Sequence, residues 1–178
     1  KSLQADAELC VMISEILEKC GLTQEEYIVK ISSRKITEEL FKKINLNNKE
    51  QKLTALRALD KIDRLGWSGV KQLLGEGRKD KSGDFTKGAN LSSLNIETLE
   101  KELNKKTPDT EDLLEIFNIF KNYEFTNFEF DPSIIRGLEY YTGPIFEVNL
   151  KFDIKNNKGK VVQFGSIGGG GRYDNLVN

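Results

Sequence analysis

The chain has no histidine among its 178 residues. Histidine is the commonest metal ligand and the commonest general base in proteins, so its absence argues against a histidine-bound metal and against proton transfer by an imidazole. The sequence also lacks any apolar run near the roughly 20 residues that span a bilayer, and it shows no secretory signal. These absences predict a cytoplasmic protein with no metal site and no membrane partner.

Cysteine is scarce, with only Cys10 and Cys20 present. Both fall on one predicted helix, where their spacing corresponds to about 15 Å along the axis. A disulfide requires Cα atoms within about 7 Å, so these two thiols cannot pair with each other. We therefore expect both to be reduced core thiols of a cytoplasmic protein.

Net charge is nearly absent, at −1, but the charges are unevenly distributed. Residues 42–81 carry 11 basic and 5 acidic side chains, whereas residues 97–131 carry 4 basic and 10 acidic ones. The basic part is suited to contacting a polyanion. The alternative is that solvated helix faces differ in charge without any partner.

Hydrophobic periodicity predicts a helix and a strand, then a run of helices, then more strands. The predicted helices are 6–20 with Asp6 as N-cap, 36–44, 52–65 ended by Gly66, 96–104, and a last helix that begins with Thr107 as N-cap and Pro108. The predicted strands are 27–32, 128–130, 145–152 and 160–167, the last two joined by a hairpin turn at 156–159. Residues 75–90 are rich in glycine and charge, which predicts a loop that is disordered or ordered only by a partner.

This order of elements indicates an α+β fold, an antiparallel sheet with flanking helices that an all-helical segment interrupts. The predicted domains are core pieces at 1–37 and 126–178 and a helical insertion domain at 38–125. The chain begins without methionine and ends four residues after a run of glycines, so we expect it to be an internal piece of a longer protein.

One stretch asks for more than packing. Residues 136–147 read R-G-L-E-Y-Y-T-G-P-I-F-E. A buried arginine is costly unless an anion pairs with it, and neighbouring tyrosines on a strand point to opposite faces unless the backbone twists. Gly137 and Gly143 would supply the freedom for such a twist. The alternative is that Tyr140 and Tyr141 are ordinary strand aromatics and Arg136 is a solvated charge.

A second stretch, Gly168–Gly171 followed by Arg172 and Tyr173, invites comparison with phosphate-binding loops. It is not a P-loop, because no Gly-Lys-Ser/Thr follows. Taken alone, four glycines favour a tight turn. One hairpin away from Arg136, however, two arginines and several phenols can hold an anionic ligand with a small polar group. No nucleophile–base pair or carboxylate pair emerges, so any catalysis must depend on charge stabilisation and positioning.

Together, R-G-L-E-Y-Y-T-G-P-I-F-E and G-G-G-G-R-Y-D-N-L (168–176) closely resemble the paired signature segments of histidyl-tRNA synthetases. The opening Q-A-D-A-E-L, the segment L-R-A-L-D-K-I-D-R-L-G and the segment G-R-K-D-K-S-G-D-F-T-K-G resemble bacterial-type members, so the resemblance covers nearly the whole chain. It implies part of a class II synthetase core with an insertion domain that contacts the tRNA acceptor arm. The implied reaction is ATP-dependent activation of histidine to its adenylate, followed by transfer to tRNA(His).

The resemblance also implies site residues. Arg136 matches the catalytic arginine beside the α-phosphate and the histidine carboxylate. The other residues that match the histidine pocket are Tyr140, Tyr141, Gly170, Gly171 and Tyr173. The tRNA-binding side chains are expected to be Lys52, Arg57, Lys61 and Arg64, the last three of which recur at i, i+4 and i+7 on one predicted helix face.

ATP is the implied co-substrate, with Mg²⁺ accompanying it in the full enzyme, and the full-length protein is expected to be a homodimer. The family's dimerisation motif, its ATP-clasping arginine motifs and its anticodon-binding domain have no counterpart in these residues. We therefore expect the fragment alone to be inactive and to bind no cofactor.

Two other functions stay open at this point. One is a synthetase-like regulatory paralogue, of the type of the ATP phosphoribosyltransferase regulatory subunit. That family lacks the helical insertion, so the basic helix here favours the enzyme. The other is an isolated helical RNA-binding module, which explains residues 38–90 but assigns no role to residues 136–147.

Overall fold

The structure is a computed structural model that describes residues 2–135, 140–162 and 165–175. The helices are α1 (Leu3–Lys19), α2 (Arg34–Lys43), α3 (Lys49–Leu59), α4 (Ile62–Leu74), α5 (Ser93–Leu103) and α6 (Glu111–Asn122). The strands are β1 (Tyr27–Ser33), β2 (Gly77–Lys79), β3 (Phe85–Lys87), β4 (Phe128–Phe130), β5 (Pro144–Leu150), β6 (Ile154–Lys155), β7 (Val161–Val162) and β8 (Gly168–Gly171). No helix in the described ranges is long and apolar enough to cross a membrane.

The main sheet has the strand order β4-β1-β5-β8. The central strand β1 pairs antiparallel with β5, from Tyr27 opposite Leu150 to Ser33 opposite Pro144. Alternate residues of β1 are buried in the core, which is why the period-2 pattern predicted this strand. The α+β fold class is confirmed. The sheet is mixed rather than purely antiparallel, because β4 pairs with β1 in parallel.

The first helix begins earlier than predicted. Ser2, not Asp6, is the N-cap, and its hydroxyl accepts a hydrogen bond from the Ala5 N–H. Asp6 lies inside the helix, which frees its carboxylate for a tertiary contact. The prediction of two core thiols is half wrong, because Cys10 is buried whereas Cys20 is exposed at the C-cap.

The helix predicted at 52–65 is two helices. α3 ends at Leu59 and α4 begins at Ile62, and the helical conformation of α4 is interrupted at Gly66, at φ 61° and ψ 174°, the residue at which a helix end was predicted. The apolar stripe of this region recurs every three residues, at Leu53, Leu56, Leu59, Ile62 and Leu65. In a helix of 3.6 residues per turn, such a stripe rotates by about 60° around the axis at each step. A straight helix would spread the stripe over most of its circumference, so the break keeps these side chains facing the core.

Residues 75–90 are ordered by the chain itself, which corrects the prediction of a disordered or partner-ordered loop. β2 and β3 form a hairpin, so the segment predicted to be all-helical contains two strands. The Asp80 carboxylate accepts hydrogen bonds from the N–H groups of Ser82 and Asp84 and thereby holds the turn. The returning chain docks on α4 through the Ala89 N–H, which donates to the Leu73 carbonyl at 2.9 Å.

The last helix of this region also starts later than predicted. Its N-cap is Thr110 rather than Thr107, and the side chain of Thr110 makes no capping hydrogen bond. α6 packs against α1, where the Tyr123 hydroxyl donates to Glu8 at 3.1 Å. The domain boundaries at 38 and 125 stay a prediction.

The hairpin turn at 156–159 is confirmed, since the Asn156 carboxamide oxygen accepts from the N–H groups of Lys158 and Lys160. The strands it joins, β6 and β7, are only two residues each. Among the described residues, β8 pairs with the side of β5 opposite β1, whereas Val161 and Val162 pair with β6.

Candidate functional site

The four consecutive glycines form a strand rather than the tight turn that was one of their two open alternatives. β8 runs antiparallel to β5, with Gly171 opposite Ile145 and Gly170 opposite Phe146. Glycine is a weak strand former, so the local sequence carries no strand signal here. The strand exists because β5 supplies the hydrogen-bonding partner.

Neighbouring side chains explain why these positions are glycine. A Cβ atom at Gly171 would lie 2.6 Å from Ile145 Cγ2 and 2.8 Å from Tyr141 Cδ1. A Cβ atom at Gly170 would lie 2.9 Å from the Phe146 ring. The bare strand thus lets Ile145 and Tyr141 lie against its backbone on one face and Phe146 on the other.

Three tyrosine rings, Tyr140, Tyr141 and Tyr173, form a cluster beside β8. The ring centroids of Tyr140 and Tyr141 are 4.6 Å apart, and those of Tyr140 and Tyr173 are 5.3 Å apart. The third pair, Tyr141 and Tyr173, is 5.9 Å apart with nearly perpendicular rings. The adjacent tyrosines share one cluster because they precede β5, where the backbone does not follow the alternation of a strand.

The exposure of the three rings differs. Tyr141 is 8% exposed, whereas Tyr140 and Tyr173 are 49% and 39% exposed. The cluster therefore has a buried base and an open side, where phenol groups are available to a ligand. A phenol both donates and accepts hydrogen bonds, which suits a small polar molecule such as an imidazole.

An ion pair fixes the strand that carries Tyr173. The Arg172 guanidinium bonds the Asp6 carboxylate of α1 through two nitrogens, Nε at 3.3 Å and Nη2 at closer range. Both side chains are largely buried. Burial raises the pKa of the Asp6 carboxyl above its usual value, and the bond to Arg172 opposes this shift without cancelling it. Arg172 is thus engaged with α1, which differs from the expectation that it faces an anionic ligand.

Backbone bonds tie Arg172 to the tyrosine segment. The Thr142 N–H donates to the Arg172 carbonyl at 2.8 Å, and the Arg172 N–H donates to the Pro144 carbonyl at 3.0 Å. The Thr142 hydroxyl adds a bond to Asp174 at 2.9 Å. The two motifs, 30 residues apart in the chain, are therefore one structural unit, as the hairpin argument predicted.

Gly143 has a different role from the one predicted. Its backbone does not lie in the left-handed region. A Cβ there would lie 3.3 Å from Arg172 Cδ, so close packing of the arginine favours glycine. Gly137 and Arg136 lie outside the described residues, and the catalytic role of Arg136 stays a prediction.

The four predicted tRNA-binding cations do not share one helix face, because the helix that was to carry them breaks after Leu59. Arg57 and Arg64 are exposed on α3 and α4, and Lys61 is the half-buried N-cap of α4. Lys52 instead lines a cleft between α2 and α3. Within residues 2–135, 140–162 and 165–175, no ion pair engages any of the four, and no group of three His, Cys, Asp or Glu side chains could hold a metal ion.

The comparison with known proteins decides the family. A model of the family described as histidyl-tRNA synthetase matches residues 1–178. The chain belongs to the histidyl-tRNA synthetase family. A histidine–tRNA ligase of Bartonella quintana (strain Toulouse) is 43% identical over 201 residues, which cover 99% of this chain and 40% of that protein. One of Rhizobium meliloti (strain 1021) is 42% identical over 200 residues, with 99% and 40% covered.

The fold agrees with this family. The crystal structure of histidyl-tRNA synthetase from Nostoc sp. PCC 7120 superposes with a TM-score of 0.73 at 21% identity, over 99% of this chain and 41% of that one. The chain thus spans about two fifths of the length of the curated relatives it matches. Both of those relatives are named histidine–tRNA ligases.

Proposed function

We propose that this chain is the part of a histidine–tRNA ligase that binds histidine. The full protein activates histidine with ATP to the adenylate and transfers it to tRNA(His). The observation that carries the proposal is the tyrosine cluster beside the glycine strand β8, built from both signature segments of the family. From membership of the family we also propose that the full-length protein is a cytoplasmic homodimer. We propose further that residues 1–178 alone are inactive and bind no cofactor.

Each residue has a proposed role in recognition. Tyr140 and Tyr173 present phenol groups at the open side of the cluster, where they exchange hydrogen bonds with the imidazole of histidine. Tyr141 supports them from the buried side, and the backbone of Gly170 and Gly171 forms the floor of the histidine pocket. A site that pairs with ring nitrogens discriminates strongly against amino acids that lack them, because its polar groups are then left unpaired.

The chemistry needs positioning and charge stabilisation. In activation, a carboxylate oxygen of histidine attacks the α-phosphorus of ATP, and pyrophosphate leaves. Arg136 is proposed to stabilise the negative charge that develops on the phosphoryl oxygens. Mg²⁺ would accompany ATP and neutralise its phosphates. Since the described residues contain no acidic metal cluster, we assign no Mg²⁺ ligand to this chain.

Histidine-dependent pyrophosphate exchange by the full-length protein tests this function. We expect exchange with histidine and none with other amino acids. Tyr173→Phe removes one phenol hydroxyl and should raise the KM for histidine about tenfold, because a buried polar group of the substrate then loses its partner. Tyr123→Phe, at the exposed C-cap of α6, removes a hydroxyl bonded to Glu8 outside the tyrosine cluster; it is the matched control and should leave the KM for histidine unchanged. An absence of histidine-dependent exchange would leave the regulatory paralogue as the better description.

The tRNA contact is proposed separately. Lys52, Arg57, Lys61 and Arg64 are assigned to the acceptor arm because they are cations without ion pairs among the described residues. Replacing Arg57, Lys61 and Arg64 by alanine in the full-length protein should weaken tRNA binding and flatten its dependence on salt. An unchanged affinity and salt slope would refute this assignment.

A further inference from the structure

The cleft between α2 and α3 has a volume of about 330 Å³. Its lining positions recur three and four residues apart along each helix, so each helix presents one continuous stripe to it. The volume falls at the lower end of the range of small-ligand pockets, roughly 300–1,000 Å³. The cleft is therefore large enough to receive about one nucleotide.

The wall of the cleft is cationic. Arg34 and Lys42 line it from α2, and Lys49 and Lys52 line it from α3. Glu38 is the one acidic residue among those that line it. The three lysines alone outnumber the one glutamate, which makes the cleft a local site for a polyanion in a chain whose net charge is only −1.

Three lysines of α2 and α4 that lie outside the cleft are paired, whereas the lysines of the cleft are not. The paired lysines nearby are Lys35 with Asp112 at 3.3 Å, Lys43 with Glu102 at 2.5 Å and Lys71 with Glu100 at 2.7 Å. In contrast, Lys42, Lys49 and Lys52 form no ion pair with any residue that the structure describes. The acids that neutralise these neighbouring lysines thus lie outside the cleft.

The floor of the cleft is apolar. Phe41, Leu53 and Leu56 lie beneath the charged rim. A groove with cations that follow a phosphate backbone and an apolar surface for bases is the common design of sites for single-stranded nucleic acid. A simple inorganic anion would have no use for such a floor.

One residue that lines the cleft is bonded to the segment that carries the tyrosines. Arg34 begins α2 directly after β1, and its backbone N–H donates to the Gly143 carbonyl at 2.9 Å. Gly143 follows Tyr141 by two residues, so this bond joins the first residue of α2 to the segment that carries the tyrosines. A single-stranded nucleic acid bound in the cleft would therefore pass near the segment that carries the proposed histidine site.

We propose that this cleft binds the single-stranded 3′ end of the tRNA, which carries the acceptor ribose. Lys42, Lys49 and Lys52 neutralise its phosphates, and the apolar floor receives a base. The inference rests on the proposed function, because only a ligase needs this end of the RNA at the histidine site. It separates Lys52 from Arg57, Lys61 and Arg64, which lie outside the cleft and are left to the paired stem.

The test compares two RNA hairpins in the full-length protein. Both reproduce the acceptor stem, and only one has the unpaired 3′ tail. The cleft variant is K42A/K49A/K52A and the stem variant is R57A/K61A/R64A. A control variant, K101A/K106A/K121A, removes the same charge from exposed positions on α5, α6 and the loop between them. Melting curves check that each variant folds.

The cleft variant should bind the tailed hairpin about tenfold more weakly, with a salt slope lower by about 2, because each phosphate of a single strand contributes roughly 0.7. It should bind the tail-less hairpin like the unmodified protein. The stem variant should weaken both, and the control neither. If the triple variant melts early, K49A alone should lower the slope on the tailed hairpin by about 0.7.

Three results would overturn the proposal. The first is that the cleft variant binds both hairpins more weakly by the same factor, and the second is that it binds both like the unmodified protein. The third is that the cleft variant raises the KM for ATP in pyrophosphate exchange and leaves RNA binding unchanged, which would assign the cleft to the free nucleotide. Pyrophosphate exchange by the unmodified protein distinguishes failure of the proposed function from failure of the cleft proposal. If it shows no histidine dependence, the proposed function fails, whereas normal exchange with unchanged RNA binding removes only the cleft.

Discussion

Replacing Gly171 by alanine tests whether the bare strand β8 is what positions the tyrosines. The backbone at Gly171 does not lie in the left-handed region, so alanine is conformationally acceptable and nothing but space opposes it. The new methyl group would meet Ile145 at 2.6 Å, Tyr141 at 2.8 Å and the Pro144 carbonyl oxygen at 2.9 Å. The last of these is backbone in the paired strand and cannot rotate away.

The expected magnitude follows from these distances. Extra methyl groups in packed regions cost about 1–3 kcal/mol. We expect a loss near the upper end, because three neighbours are too close and one is backbone. The least costly relief is an outward shift of the Tyr141 ring, which disturbs its contacts with Tyr140 and Tyr173. If about 2 kcal/mol of this cost appears in histidine binding, the KM for histidine rises about thirtyfold, since about 1.4 kcal/mol corresponds to tenfold.

The assay is histidine-dependent pyrophosphate exchange by the full-length protein, together with its melting temperature. Gly168→Ala is the matched control, because a Cβ there would meet only Ile13 Cδ1, at 4.0 Å, an ordinary contact. We expect Gly171→Ala to raise the KM for histidine strongly and the KM for ATP little, and Gly168→Ala to change neither. Equal effects of the two variants would refute the reasoning, since chain flexibility rather than the close contacts would then explain the glycines.

Asp6→Asn should raise the KM for histidine in the same assay and clearly lower the melting temperature, because it leaves the largely buried Arg172 guanidinium without its carboxylate partner and releases the tyrosine segment that Arg172 holds. Burial raises the pKa of the Cys10 thiol to about 12, so a thiol reagent at pH 8 should label Cys20 alone in the folded protein and both cysteines in urea. Burial acts to raise the pKa of Asp131, but hydrogen bonds, chiefly from Lys30 at 2.8 Å, outweigh it and hold the pKa below 3.8. The stability from this carboxylate is present above about pH 4 and is lost as the pH falls through its folded pKa, so Lys30→Met should reduce the difference in melting temperature between pH 7 and pH 3, and an unchanged difference would contradict the pairing.

The sequence predicted the elements whose signal is local. β1 alternates between core and solvent, and α1 and α2 repeat their apolar residues at helical spacing, so single segments contain the whole argument. The tyrosine and glycine motifs were equally local, because their residue types are unusual side by side. The chemical character of the site therefore follows from its residue types alone.

Elements whose partners lie far away in the chain were missed. β8 consists of glycines, so it has no alternation of apolar and polar side chains that would predict a strand. It forms because β5 provides a hydrogen-bonding edge and because side chains of β5 pack directly against its backbone. Asp6 was assigned to a helix cap because its real partner, Arg172, is 166 residues further on. Capping and periodicity describe neighbours within one turn, so they cannot rank a local bond against a distant one.

What the sequence by itself determined is the family signature, the α+β fold class and the residue types of the site. Only the tertiary structure decided that the glycines form a strand and that Arg172 binds Asp6 of α1 rather than a ligand. It also decided that Lys52 lines a cleft that does not include Arg57. The physical reason is the same in each case. Residue type sets which interactions a side chain can make, whereas packing between distant segments selects the one it does make.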